Sequence, residues 1–280
     1  MIAGIRSLYA VAACSGEEQS RSSALSYAVN FAASAGAHLR ADSASIRLVL
    51  PSAAGSSTIA GLVGAENKRI AGIAAARAAT SRSDAEAAGV ACSAESTHGF
   101  HGEVMARVAR LSRVADLTIV DASQSALESA RSLAEAALFD GGRSVLIVPA
   151  GVESFRCESM IIAWDGSAMA SRAVASALPL LRAAKQVEVV SIVGEKDLSG
   201  AVPGADLAAH LAHHDVRVDL KDLPVGTRSA ADLLREQASM LGADMIVMGA
   251  FKHSRLRQWM LGGVTASMLG ESATPVLMSH

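Results

Sequence analysis

The chain has 280 residues, of which 51% are hydrophobic, 19% charged and 3% aromatic, and its formal net charge is −2. This length predicts two domains of about 150 residues each, and the apolar content excludes intrinsic disorder over most of the chain. Nucleic-acid binding is not expected, because the chain lacks the basic excess that neutralises phosphates and the aromatic rings that stack on bases.

The apolar run 8–13 precedes Cys14, a pattern that imitates a lipoprotein cleavage site. Arg6 is the one basic side chain before the run, and the run is shorter than the ~7 residues or more of a signal core. We therefore predict a buried first strand here rather than a lipid anchor.

The three cysteines are widely spaced and form no disulfide or metal pattern, at Cys14, Cys92 and Cys157. This favours a cytoplasmic protein. No apolar run reaches the length of a membrane span, so no membrane partner is expected.

The two halves of the chain repeat one order of elements. In each half a helical segment leads to an Asp and then an apolar run, at Asp116 and at Asp244. The corresponding opening strands are 8–13 and 160–164, and the closing strands are 144–148 and 275–278. The seam between the halves is expected near residues 149–156.

Strands and helices alternate in the C-terminal half. The predicted strands are 159–164, 187–193, 216–222, 244–248 and 275–278. The predicted helices are 168–184, 205–213, 229–241 and 263–270, with a loop from 249 to about 262. The N-terminal half follows the same order with a longer helical stretch at about 60–88. This alternation indicates parallel βαβ units, and the predicted fold is α/β, with two tandem doubly wound five-stranded sheet domains at 1–151 and 156–280.

Ligands of doubly wound sheets bind at the carboxyl ends of the strands. After the first strand of the second half come Asp165, Gly166 and Ser167, at the start of a helix. The carboxylate could accept hydrogen bonds from a ribose or an adenine edge. Alternatively, Asp165 or Ser167 caps the helix, a contact of about 1 kcal/mol.

The segment 248–265 follows the fourth strand and ends in two glycines at a helix start. Free N–H groups and the positive end of a helix dipole suit a phosphate there. Lys252, His253, Arg255 and Arg257 add local positive charge, although a solvated charged surface explains such a run equally well.

Together these residues resemble the universal stress protein family, over essentially the whole chain, as a tandem of two such domains. Nucleotide-binding members carry Gly-x2-Gly-x9-Gly-(Ser/Thr) after the fourth strand and an Asp after the first. Gly249 and Gly262 match the first and third glycines, and Asp165 matches the Asp. The resemblance implies an ATP, ADP or AMP site, with or without Mg²⁺. The implied contacts are Asp165, Gly166, Ser167, Ile192, Met248, Gly249, Lys252, Gly262, Gly263, Val264 and Thr265.

The match to the family pattern is incomplete in the C-terminal half. Lys252 occupies the second glycine position, where it blocks close backbone approach or supplies a charge to the phosphates. Gly263 stands where Ser or Thr would offer a hydroxyl, and Thr265 lies two residues on.

The N-terminal half departs further from the family pattern. Cys14 replaces the first Asp, Asp121 replaces the glycine after the fourth strand, and 126–138 is helix-like. We interpret this half as a degenerate, empty copy. The resemblance also implies that the last strands of the two halves pair as a pseudo-dimer within the chain, with a homodimer as a further expectation.

Two histidine groups offer weaker signals. His210, His213 and His214 could share a helix face and hold a metal, but a polar helix end is the favoured interpretation, and His98 with His101 is expected in a surface turn. The sequence lacks a Walker A pattern and a Gly-x-Ser-x-Gly elbow, so no enzyme is predicted. The alternatives to a nucleotide-binding stress protein are a ligand-free interaction module and, less favoured, slow ATP hydrolysis.

Overall fold

A computed structural model describes residues 2–14, 21–49, 57–123, 129–193, 204–224, 226–253, 260–261 and 263–280. The α/β fold predicted from the alternating pattern is confirmed, with a mostly parallel sheet. The predicted lengths of the major elements agree with the structure to within a few residues.

The first half contains five strands and four helices within the described residues. The strands are β1 (Ser7–Ala13), β2 (His38–Ile46), β3 (Cys92–Gly99), β4 (Leu117–Asp121) and β5 (Val145–Val148). The helices are α1 (Ser23–Ala35), α2 (Ser57–Ala87), α3 (His101–Ser112) and α4 (Ser129–Glu135), and a π-helical turn (Ala136–Asp140) continues α4. The first strand is buried as predicted, because its interior side chains face packed helices on both sides.

The second half repeats this order. Its strands are β6 (Ser159–Ala163), β7 (Gln186–Val193), β8 (Asp219–Pro224), β9 (Met245–Gly249), β10 (Lys252–His253), β11 (Met260–Leu261) and β12 (Val276–Ser279). Its helices are α5 (Ala168–Leu181), α6 (Ala205–Ala212), α7 (Ala230–Leu241) and α8 (Gly263–Glu271). Two expectations need correction: β8 lies later than 216–222, and the predicted loop after β9 contains an antiparallel ladder of β10 with β11.

Ten strands form one sheet in the order β3-β2-β1-β4-β5-β12-β9-β6-β7-β8. The neighbours are parallel within each half, and β5 pairs with β12 antiparallel, with Ile147 opposite Val276. The hydroxyls of Ser144 and Ser279 lie 2.5 Å apart beside this pair. The closing strands of the two halves therefore join them edge to edge, the intrachain arrangement expected from the resemblance.

Each half uses one aspartate in the same structural role. Asp116 Oδ2 accepts hydrogen bonds from the N–H groups of Arg6 and Ser7, at 2.8 and 2.9 Å. In the second half, Asp244 Oδ2 accepts equivalent bonds from residues 158 and 159, at 2.8 and 3.1 Å. Each carboxylate thus satisfies two backbone donors where the first strand of its half begins, which explains why this residue recurs in the sequence.

The segment between the halves packs against α1. The ring of Phe155 stacks on Phe31, with centroids 4.0 Å apart, and meets Tyr27 edge to face at 5.6 Å. Asn30 also donates a hydrogen bond to the carbonyl of Glu153. The residues at the predicted seam are therefore held in place by the first half. In the part of the chain that the structure describes, no helix has both the length and the hydropathy to cross a bilayer.

Candidate functional site

The turn after β6 carries Asp165, Gly166 and Ser167. Asp165 Oδ1 accepts a hydrogen bond from the N–H of Ser167 at 3.0 Å, and Ser167 Oγ caps α5 by accepting from the N–H of Ala170 at 3.1 Å. Gly166 has φ +70, a conformation that other residues rarely adopt. The capping interpretation of Ser167 is therefore realised, while the Asp165 carboxylate stands at the carboxyl edge of the sheet, only partly buried.

Gly249 ends β9 and lies directly against the first turn of α5. A Cβ at this position would stand 2.6 Å from the backbone nitrogen of Ala170 and 2.9 Å from the backbone carbon of Met169. Such distances are too short for non-bonded atoms, so the glycine is required for the strand to approach the helix. This close approach also brings the Asp165 turn beside the segment that follows β9.

Helix α8 begins at Gly263, which is exposed and has open space where a Cβ would lie. The first N–H groups of a helix have no acceptor within it. Thr265 is buried, and its Oγ1 accepts a hydrogen bond from the N–H of Phe251 at 3.1 Å. The Thr265 hydroxyl thus fixes the segment after β9 to the first turn of α8, so the two glycine-bearing segments meet.

The residues between Gly249 and Gly263 are described in part. The backbone of Lys252 pairs with that of Leu261 in the ladder of β10 and β11. Gly262, Arg255 and Arg257 lie outside the described residues.

An apolar wall lines the same edge of the sheet. Its side chains are Ala163, Ile192, Leu223 and Val264, all partly buried and packed against the core between the sheet and helices α7 and α8. Met248 pairs with Ala163 in the sheet and is buried. Sequence reasoning selected Ile192, Met248 and Val264 but missed Ala163 and Leu223. Leu223 was missed because the predicted strand ended one residue before it.

The corresponding edge of the first half is filled by its own side chains. Asp121, at the end of β4, accepts hydrogen bonds from Ser22 Oγ at 2.6 Å and from the N–H of Ala24 at 2.8 Å, at the start of α1. Arg77 of α2 donates to the carbonyl of Ala13 at 2.8 Å. A carboxylate of the chain itself thus occupies the N-terminus of α1, the counterpart of α5.

Burial shifts the pKa of two side chains at this edge. Desolvation raises the pKa of Asp121 despite the lowering effect of its hydrogen bonds from Ser22 and Ala24. Burial likewise raises the pKa of the Cys14 thiol, with Arg77 opposing the shift and Asp121 adding to it. The Cys14 thiol is consequently the protonated, weakly reactive form at neutral pH.

The two histidine groups form no metal centre among the described residues, where no three His, Cys, Asp or Glu side chains cluster. His210 lies on α6, and its ring is 4.8 Å from that of His214. The expectation for His98 was wrong: it belongs to β3 rather than to a surface turn, and its Nδ1 lies 2.9 Å from Ser45 Oγ.

Comparison with known proteins gives a consistent result. The family model described as universal stress protein family matches residues 158–280. A search of curated proteins found no match.

Among solved structures, a universal stress protein from Archaeoglobus fulgidus is similar at a TM-score of 0.64 and 14% identity, over 98% of this chain and 96% of that one. A putative universal stress protein from Pseudomonas aeruginosa is similar at 0.57 and 15%, over 99% and 94% of the two chains. A functionally unknown protein from the same organism is similar at 0.54 and 15%, over 99% and 93%. At these identities the likeness establishes the fold, and it spans both halves. Residues 158–280 thus match the universal stress protein family model, and the structural similarity extends the fold to the N-terminal half.

Proposed function

We propose that the protein is a stress-response protein whose C-terminal half binds an adenine nucleotide as a regulatory ligand without turning it over. One observation carries this proposal: the starts of α5 and α8 converge at the carboxyl edge of β6 and β9, beside a partly exposed apolar wall. This edge is where doubly wound sheets bind ligands. It also lies wholly within the part of the chain that matches the family model.

The parts of this edge suit different parts of a nucleotide. Asp165 would accept hydrogen bonds from the ribose or adenine, and the apolar wall containing Ile192 would offer surface to the base. The N–H groups at Gly262 and Gly263 would bind the phosphates, with Lys252 supplying charge. Mg²⁺ would be carried by the phosphates of ATP or ADP. Gly249 differs from this set, because its lack of a side chain is already needed for packing on α5.

The second candidate function is an interaction module that needs no ligand. It is favoured by the burial of Thr265, whose Oγ1 accepts a hydrogen bond from the N–H of Phe251, so that this hydroxyl faces the chain itself. In the first half, Asp121 likewise forms its hydrogen bonds with the chain itself, at Ser22 and Ala24, which also favours a ligand-free module. With this function, Gly249 serves the packing of β9 on α5 alone.

Two measurements distinguish the two functions. The first is calorimetric titration with ATP, with and without Mg²⁺, and the second is analysis of the denatured protein for released ATP, ADP or AMP. Asp165→Asn keeps an oxygen for the Ser167 N–H but removes the charge, so it should weaken binding while leaving the turn intact. Asp219→Ala is the matched control, because Asp219 is exposed at the amino end of β8, the opposite edge of the sheet. An absence of heat and of released nucleotide would favour the interaction module.

Phosphate release in the presence of ATP tests turnover. A rate equal to that of buffer, in the parent and in Lys252→Gly, is expected. A cytoplasmic location and a homodimer belong to the same proposal, and chromatography with light scattering measures the latter.

A further inference from the structure

Two contacts cross from the first half to α8, the helix that starts at Gly263. The N–H of Ser123, just after β4, donates to the carbonyl of Leu269 at 3.3 Å. The Arg131 guanidinium of α4 donates to the carbonyl of Ala266 at 3.4 Å. Leu269 lies in the last turn of α8, where the backbone carbonyls have no N–H partner within the helix. The first half therefore supplies hydrogen-bond donors to a carbonyl near the middle of this helix and to one in its last turn.

Arg131 is built into the protein rather than lying on its surface. Its side chain is 9% exposed, and its charge is matched within α4 by Glu135, with Nε and Oε1 2.8 Å apart. A buried guanidinium is strongly disfavoured unless it is paired and hydrogen-bonded. Its second interaction, with the Ala266 carbonyl, therefore ties the position of α8 to that of α4.

The side of α8 that carries Ser267 and Glu271 is held by its own half. Arg235 of α7 donates to Ser267 Oγ at 2.6 Å and to Glu271 at 3.0 Å. A helix of nine residues is a rigid rod about 14 Å long. A displacement at Ala266 is therefore transmitted to Gly263 at its start.

We propose that the N-terminal half, in addition to being a filled copy, positions α8 through Arg131 and so sets the anion affinity of the C-terminal half. This inference rests on the proposed nucleotide site and adds its regulation by the other half. Arg131 is a positioning residue, because it contacts the helix and not the ligand.

Arg131→Gln tests the proposal by two independent measurements in the full chain. Hydrogen–deuterium exchange of the amides of 265–271 reports α8 without any ligand, and calorimetry with ATP reports the site. We expect exchange in α8 to become at least about fivefold faster and ATP affinity to fall about fivefold, the lower end of typical coupling between sites. Arg131→Lys keeps the charge and a donor group, so its α8 exchange and ATP affinity should lie closer to those of the parent than in Arg131→Gln.

Arg113→Gln is the matched control, because Arg113 also donates to a backbone carbonyl, that of Asp140, but within the first half. It should leave α8 exchange and ATP affinity unchanged. If Arg131→Gln leaves both α8 exchange and the affinity of a binding parent unchanged, or if Arg113→Gln has the same effects, the inference is overturned.

Failure of the proposed function gives a different pattern. A parent that binds no ATP, with faster α8 exchange in Arg131→Gln and its recovery in Arg131→Lys, would refute nucleotide binding while supporting the positioning of α8. Normal α8 exchange in both variants would refute the positioning itself, whatever the parent binds.

Discussion

Replacing Gly249 by alanine should destabilise the protein through a single added methyl group. The new Cβ would stand 2.6 Å from the Ala170 nitrogen and 2.9 Å from both the backbone carbon and the Cβ of Met169. Two of these three atoms belong to the backbone of α5, which cannot rotate away as a long side chain can. Overpacking of this kind costs about 1–3 kcal/mol, and strand β9 or the start of α5 must shift to relieve it.

Urea denaturation followed by circular dichroism measures this effect as a lower midpoint. Thermal denaturation should show a decrease in Tm of roughly 2–4 °C for each kcal/mol, the relation for domains of about 150–250 residues. Because the start of α5 carries the Asp165 turn, any ATP affinity should fall in the same variant.

Gly263→Ala is the paired control, since a Cβ there meets no atom within 4 Å. Its unfolding free energy should stay within about 0.5 kcal/mol of the parent, as for other exposed positions. If its N–H contacts phosphate, the added methyl group should weaken ATP binding without affecting stability. Gly249→Ala with the stability of the parent would refute the argument that close packing requires this glycine.

Three further predictions concern the scaffold. Asp116→Ala and Asp244→Ala each remove two hydrogen bonds to backbone donors, so each should lower the unfolding free energy by about 1–3 kcal/mol; urea titration that finds only one of them destabilising would contradict their equivalence. Burial raises the pKa of Asp121, so its contribution to stability is complete below the ordinary pKa of about 3.9 and is lost as pH rises through the folded value. The unfolding free energy of Asp121→Asn, measured from pH 3 upward, should therefore rise relative to the parent across that window, and a constant difference would count against the burial effect. Phe155→Ala removes the stack on Phe31 and should cost about 2 kcal/mol, seen as a lower Tm; an unchanged Tm would mean that the seam contributes no stability.

The fold could be predicted from the sequence because strands and helices leave patterns among residues that are close together in the chain. Apolar strands alternate with helical segments, and the recurrence of Asp116 and Asp244 marks equivalent positions in the two halves. Their role, however, depends on backbone N–H groups that lie far away in sequence. Local patterns do not specify such partners.

The same limit applies to the candidate site. The spacing of Gly249 suggested a ligand contact, whereas its packing on Met169 and Ala170 depends on how β9 meets α5. Thr265 was selected as a hydroxyl near phosphate, and its hydrogen bond to Phe251 emerges only from the fold. Asp165 and Ile192 lie at the expected edge of the sheet because strand order alone places them there.

Because β5 and β12 pair with each other, the edge that each of these strands would offer to another molecule is already hydrogen-bonded within the chain. Within the described sheet, β3 and β8 alone keep an open side. β8 exposes Asp219, Lys221 and Asp222 and ends in Pro224, which has no N–H to donate, and these features discourage lateral polymerisation. Two copies of the chain would consequently have to associate through the edge of β3, or through helices or loops, and the pairing of β5 with β12 inside each copy would stay intact.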